Sequence, residues 1–269
     1  MRNSDYKVGI IVVNYNGFEY SSDCIDSLLK SDYKLFEIIF VDNGSKDGSA
    51  EMIRNRFKDT INCVFLSENK GVTGGNNAGI DFAVKRGCDY ALFLNNDTVV
   101  EHDFLTKMML TSRECGQALV APKIVCDFDR RRIDHWVGKD YDWWRSRPQG
   151  HKVYPFDNEE FSFRADIKVA STCCLLVPIS VINRIGMMDE NYFMYLDDAD
   201  FTIRASRAGY RIIYEPEAMI YHKCNKTTGG KQPSYFEYYL LTRNVFYFYR
   251  KLCKNNSAKA YFFSRIIIF

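Results

Sequence analysis

The sequence predicts an α/β protein in which a mostly parallel sheet is flanked by helices on both faces. Short apolar runs alternate with amphipathic segments over the first 125 residues. The runs are continuously apolar, as in strands covered on both sides. Polar or glycine-rich blocks follow several of them, where ligands gather in open sheets.

The first strand is the β-branched run Val8–Val13. Cys24, Ile25, Leu28 and Leu29 fall at helical spacing and place the first helix. Phe36–Val41 reads as the second strand, and Ser49–Phe57, with Met52 and Ile53, as the second helix. Ile61–Leu66 is the third strand. Ile80, Ala83 and Val84 mark the third helix, and Tyr90–Leu94 the fourth strand. A helix around Phe104–Cys115 and a strand at Ala118–Val125 complete this half.

Residues 126–166 are charged and hold all three tryptophans, Trp136, Trp143 and Trp144, so they read as an irregular insertion. The tryptophans suit either stacking on a sugar ring or covering the core. Ile167–Val177 follows as one apolar strand, then a short helix Ser180–Ile185 capped by Ser180, then a loop at Gly186–Leu196. A helix from about Asp198 to Ala208 closes at Gly209. Two short strands, Arg211–Tyr214 and Ala218–Tyr221, lead to a polar loop, and a last helix runs from about Tyr235 to Cys253.

The 269 residues are 46% hydrophobic and 26% charged, ordinary globular values that exclude a disordered or collagen-like chain. Nine cysteines without a recurring close spacing predict reduced thiols and a cytoplasmic setting. The N-terminus turns polar at once, which predicts no secretory leader, and no apolar run is long enough to span a bilayer. The small net charge of +2 hides an asymmetry. Residues 1–201 carry 24 Lys and Arg against 31 Asp and Glu, whereas residues 202–269 carry 12 against 3. That basic end is interleaved with aromatics, a pattern that fits peripheral contact with an anionic membrane or a solvated helix face; nucleic acid is the weakest alternative.

Chemistry-bearing residues stand after the strands. Val13-Asn14-Tyr15-Asn16-Gly17 ends the first and Val41-Asp42-Asn43-Gly44-Ser45 the second. Asp42 is placed to accept hydrogen bonds from a base or a ribose, or else to organise its turn, whereas Asp47 reads as a helix cap. Asn69-Lys70-Gly71-Val72-Thr73-Gly74-Gly75-Asn76-Asn77-Ala78-Gly79 is glycine-rich and reads as a loop that admits a ligand, followed by a helix whose N–H groups face an anion. It is not a P-loop. Leu94-Asn95-Asn96-Asp97 delivers a carboxylate suited either to a divalent cation that also holds a diphosphate or to capping the next helix.

Together these blocks resemble the family 2 glycosyltransferases, which have the GT-A fold. The second half adds Gly186-Met187-Met188-Asp189-Glu190-Asn191-Tyr192-Phe193-Met194-Tyr195 and the acidic run Leu196-Asp197-Asp198-Ala199-Asp200, both similar to family motifs. His222, and Tyr238-Tyr239 with Arg243-Asn244, match its C-terminal pattern. The resemblance spans roughly residues 7 to 250 and looks most like the rhamnosyltransferase-like branch. The sequence departs from the family in having Asn-Asn-Asp for Asp-x-Asp, and Asp197 where Glu is commoner.

The resemblance implies an inverting enzyme that moves a sugar from a nucleotide diphosphate, dTDP-rhamnose or a UDP-hexose, to a glycan or lipid-linked acceptor. Asp198 is then the catalytic base. Val13, Tyr15, Asp42, Asn69, Gly74, Asn77 and Asn96 bind the nucleotide. Asp97 and His222 hold Mn²⁺ or Mg²⁺, and Asp197 and Arg243 face the acceptor or the donor sugar. Lys223, Lys226 and Lys231 are placed to close over the diphosphate. Residues 1–125 become the nucleotide-sugar half, 126–234 the acceptor-side and catalytic half, and 235–269 a basic, aromatic helical segment. The competing readings are a catalytically inactive nucleotide-sugar-binding module and, further off, a sugar-nucleotide pyrophosphorylase.

Overall fold

The computed structural model describes residues 6–134, 137–223 and 234–266. The first half runs β1 (Val8–Asn14), α1 (Phe18–Leu28), β2 (Phe36–Asp42), α2 (Ser49–Phe57), β3 (Asn62–Phe65), α3 (Gly71–Lys85), β4 (Tyr90–Asn95), β5 (Thr98–Val100), α4 (Phe104–Glu114) and β6 (Leu119–Cys126). Most expected elements fall within a residue or two of their expected bounds.

The insertion contains three two-residue strands, β7 (Val137–Gly138), β8 (Tyr141–Asp142) and β9 (Arg147–Pro148). The single strand expected over 167–177 is instead β10 (Ala165–Ile167), β11 (Val169–Ala170) and β12 (Cys174–Pro178). The breaks arise because β10 pairs with β13, β11 with β7 and β12 with β4. Helices α5 (Ile179–Ile185) and α6 (Asp197–Arg207) follow. Pro178 stands at the N-cap of α5, so Ser180 lies inside the helix and does not cap it. The two short strands expected next are one, β13 (Ile212–His222), whose register shifts between Glu215 and Met219. Helices α7 (Tyr235–Leu252) and α8 (Asn256–Ile266) complete the described chain.

The main sheet has the order β10-β13-β6-β12-β4-β1-β2-β3, with β5 paired to β13. β1, β2, β3 and β4 run parallel, as do β13 and β6. β12 runs antiparallel to both β4 and β6 and joins the two parallel sets. The period-two alternation of side chains feeds two cores. Ile10, Val12, Phe40 and Leu92 pack under α1, α2 and α4, with Ile25, Ile53 and Phe104. Ile11, Ile39, Val41 and Phe93 pack under α3, α5 and α6, with Ile80, Ile182 and Phe201.

A third core seats α7 against the insertion through Tyr141, Tyr192, Phe248 and Tyr249. Trp143 stacks on Phe248 at 5.3 Å, so it covers this core. Trp144 is half exposed beside Tyr261, and Trp136 lies outside the described residues.

Candidate active site

Register brings the strand ends into line. Asn14 pairs with Asp42 across β1 and β2, and Val13 with Asn95 across β1 and β4. The resulting polar floor is a hydrogen-bond network centred on a residue the sequence reading passed over, Asn14. Its amide donates to Asp42 Oδ1 at 2.9 Å, Ser49 Oγ at 3.0 Å and Ser45 Oγ at 3.1 Å. Its oxygen accepts from Ser21 Oγ at 2.8 Å and from Asn96 Nδ2 at 3.4 Å. Asn14, Asp42 and Asn96 are buried, and the adjoining Tyr15 is 45% exposed. A buried polar residue between two strand-end positions was the available signal, because such a group needs partners. Asp47 accepts from the Ser49 amide, a turn contact one residue ahead of the N-cap; α2 is capped by Gly48 with no side-chain cap, so Asp47 organises the turn and is not the expected cap.

The glycine-rich block has a different structure from the one expected. α3 begins at Gly71, so Gly74, Gly75 and Gly79 lie inside it. A β-carbon on Gly79 would stand 2.3 Å from Ile11 Cγ2, and one on Gly75 would stand 2.5 Å from Val13 Cγ1. These two glycines let the helix lie close on β1; one on Gly74 would meet its own helix at Lys70. Asn69 accepts from the Gly71 amide and from Asn43, which ties the entry to α3 onto the end of β2. Asn77 points the other way. Its amide donates to Met188 O and to Glu190 Oε1, both at 2.9 Å, and its oxygen accepts from the Met188 amide. It joins the two halves of the chain.

Asp97 follows β4, and the β5–β13 pairing sets His222 opposite Thr98. His222 Nε2 therefore lies 3.2 Å from Asp97 Oδ1. The other ring nitrogen, Nδ1, lies 3.0 Å from Asp134 Oδ2 in the insertion. Burial disfavours the imidazolium, yet Cys173, Asp134 and Asp97 together push its pKa well above the usual value. Burial also raises the Cys173 thiol, so Asp97 and Asp134 are the anionic neighbours that favour the charged form of the ring. Lys223 donates its backbone N–H to Asp97 O and pairs through Nζ with Asp23. Lys226 and Lys231 lie outside the described residues.

The acidic run opens α6. Asp197 and Asp200 are buried, while Asp198 between them is half-buried and accepts from the Ala199 amide at 2.7 Å. Burial, and then the neighbouring Asp198, raise the Asp197 carboxyl well above the ordinary carboxylate range. Asp200 is an anchor: Arg204 and Lys251 both reach it at 2.7 Å. The segment 170–173 connects the two acidic regions. The Ala170 amide donates to Thr202 on α6, and the Asn95 amide donates to Cys173 O.

The loop before α6 holds three non-glycine residues in the left-handed region: Phe193, Tyr195 and Leu196, with φ of 67°, 69° and 63°. Each costs about 1–3 kcal/mol, so other contacts must hold the loop. Arg243 is one of them. Its Nη2 donates to the carbonyls of Asn191 and Tyr192, at 2.7 and 2.8 Å.

Residues 9–185 match Glycosyl transferase family 2. The chain belongs to this family. Among curated relatives of this family 2 chain, the low-salt glycan biosynthesis hexosyltransferase Agl10 of Haloferax volcanii is 25% identical over 215 residues, 76% of this chain and 63% of that protein. The poly-beta-1,6-N-acetyl-D-glucosamine synthase of Staphylococcus aureus is 26% identical over 228 residues, 83% of this chain and 51% of that protein. The chain thus spans less than two thirds of the length of these relatives. Two solved structures share the GT-A fold. GalNAc-T7 with UDP, GalNAc and Mn²⁺ superposes with a TM-score of 0.66 at 14% identity, covering 82% of this chain and 44% of that one. TarS 1-349 of S. aureus gives 0.60 at 16% identity, covering 94% and 68%. Among the described residues no helix is long and apolar enough to cross a membrane.

Proposed function

We propose that this family 2 glycosyltransferase transfers a sugar with inversion from a nucleotide diphosphate, dTDP-rhamnose or a UDP-hexose, to a glycan or lipid-linked acceptor. The observation that carries the reading is the meeting of Asp97 and His222 at 3.2 Å beside the Asn14–Asp42–Asn96 floor.

In this reading Asp42 and Asn96 receive the nucleoside, with Val13 and Tyr15 beside them and Asn69 and Gly74 shaping the wall. Asn77 enters the same group by holding the 188–190 segment in place. Among the described residues no group of three His, Cys, Asp or Glu side chains is placed to hold a cation by itself. One carboxylate and one imidazole nevertheless fit Mn²⁺ or Mg²⁺, because phosphates and water commonly fill the remaining positions. Asp97 and His222 would be the protein ligands. When bound, the cation offsets negative charge on the departing diphosphate. The solved structure of GalNAc-T7 that shares the fold holds UDP and Mn²⁺, which supports this choice.

Asp198 takes the proton from the acceptor hydroxyl as its oxygen bonds to the anomeric carbon. The bond to the diphosphate oxygen breaks on the opposite face, and the nucleoside diphosphate leaves. Attack opposite the leaving group inverts the centre. A positioned base contributes roughly 10²–10⁴ in rate. Asp197 belongs to the sugar and acceptor side of this scheme, whereas Arg243, whose guanidinium is turned to the carbonyls of Asn191 and Tyr192 and to Asn244, serves that side only through the loop it holds. Tyr235, Phe236, Tyr238 and Tyr239 at the start of α7 are exposed and fit a peripheral contact at the cytoplasmic membrane face.

The test is a thermal-shift panel of nucleotide sugars with Mn²⁺, followed by assay of nucleotide release. One nucleotide diphosphate sugar should raise the melting temperature in a Mn²⁺-dependent way and turn over with an added glycan. Binding without release would favour the inactive module, and no shift with any donor would overturn the reading.

A further inference from the structure

We propose that Asn244, assisted by Arg243, is a positioning residue: it clamps the strained loop before α6 and so determines where Asp198 stands. The proposal rests on the base assignment made above.

Asp198 lies two residues beyond Leu196, the last of the left-handed residues. α6 has the apolar Leu196 at its N-cap, and no side chain caps it there. Fixation of the loop comes from α7. Asn244 is fully buried, and its amide nitrogen lies 2.9, 2.6 and 3.0 Å from the carbonyl oxygens of Tyr192, Met194 and Tyr195. Its own oxygen accepts from Arg243 Nε at 3.0 Å and from Nη2 at 2.8 Å. Arg243 extends the grip to Asn191 O and Tyr192 O. Together the two side chains reach four of the five successive carbonyls from Asn191 to Tyr195, all but that of Phe193, which accepts instead from the Thr73 amide on α3.

Every bond from this clamp to the loop goes to main-chain oxygen, so it fixes the backbone path whatever side chains the loop carries. Asp200 is held separately by Arg204 and Lys251. The helix is thereby anchored through one acid, and its entry is fixed through Asn244, which leaves the half-buried Asp198 between two fixed points. The hydrogen bonds of Asn244 go to Arg243 and to the 192–195 loop, away from the strand-end residues of the nucleotide floor. Its loss should therefore reach the transfer step and leave nucleotide binding alone.

The experiment uses the full chain with Asn244→Ala and, separately, Arg243→Gln. Hydrogen exchange should quicken about tenfold or more at the Met194 and Asp200 amides, whose acceptors lie in the clamped loop, while β1–β4 keep their protection. Turnover of the donor that stabilises the wild type most should fall roughly 10–100-fold, as expected for a misplaced base. The KM for that donor, and UDP binding with Mn²⁺, should stay within about twofold. Wild-type exchange across 191–200, or equal losses of binding and turnover, would overturn the proposal. Should Asn244→Ala fail to fold, Arg243→Gln carries the same readouts from a half-buried position. Quickened exchange in a protein whose wild type transfers no sugar would support the clamp and remove the base assignment instead.

Discussion

Asp97 and Asp198 face different demands, and their surroundings differ accordingly. Asp97 is buried, against a histidine. Asp198 is half-buried at a helix start, where the proposed scheme has it meet the incoming alcohol. Asp198→Asn keeps the shape and removes the basicity. Transfer should fall by roughly 10²–10⁴ while nucleotide affinity, read by calorimetry, stays unchanged. Asp97→Ala should do the reverse: the Mn²⁺-dependent part of UDP or dTDP binding disappears in the same titration. At this scale the acidic residues were legible because a strand end followed by Asp, or three acids in four positions, is a local pattern. Asn14 was not, because its partners Ser21, Asp42, Ser45, Ser49 and Asn96 are scattered along the chain.

Helix α3 shows how one local pattern serves two purposes. Glycines spaced as in Gly71–Gly79 suit a ligand-facing loop, and they equally suit a helix laid close on a strand. Only Ile11 and Val13 beneath them decide between the two. Gly79→Ala should cost about 1–3 kcal/mol through overpacking against Ile11, seen as a lower urea midpoint with an unchanged slope. Helix α7 offers a second test. Asp189 is desolvated, but Lys251, Tyr247 and Asn191 hold its carboxyl at about 2, below its ordinary value of 3.8. A depressed carboxylate contributes stability above its unfolded pKa and loses it as pH falls through the folded one. Stability should therefore drop between about pH 4 and pH 2, by on the order of 1 kcal/mol after solvent screening. Asp189→Asn should flatten that part of the acid-unfolding curve.

For the molecule as a whole, the α/β class and the order of the first elements were legible in hydrophobic period, since β1, β2 and β4 are buried on both faces, while β3 is a partly exposed edge strand. Strand direction was not legible. Leu175, Leu176 and Val177 look like any parallel strand, yet β12 runs the other way, because direction is set by the partners β4 and β6. The insertion was legible as irregular, and Trp143 takes the core-covering one of the two uses its tryptophans offered; the supply of Asp134 to His222 was not legible.

The reversed strand also bears on how the chain is made. β4 and β6 are translated well before β12, which must come between them. While the polypeptide grows from the ribosome, both present a bare row of peptide groups, and such edges recruit other chains. A fragment ending at Cys126 should accordingly self-associate on a sizing column, where the full chain does not expose those edges. The nascent first half thus stays adhesive until some fifty more residues have emerged.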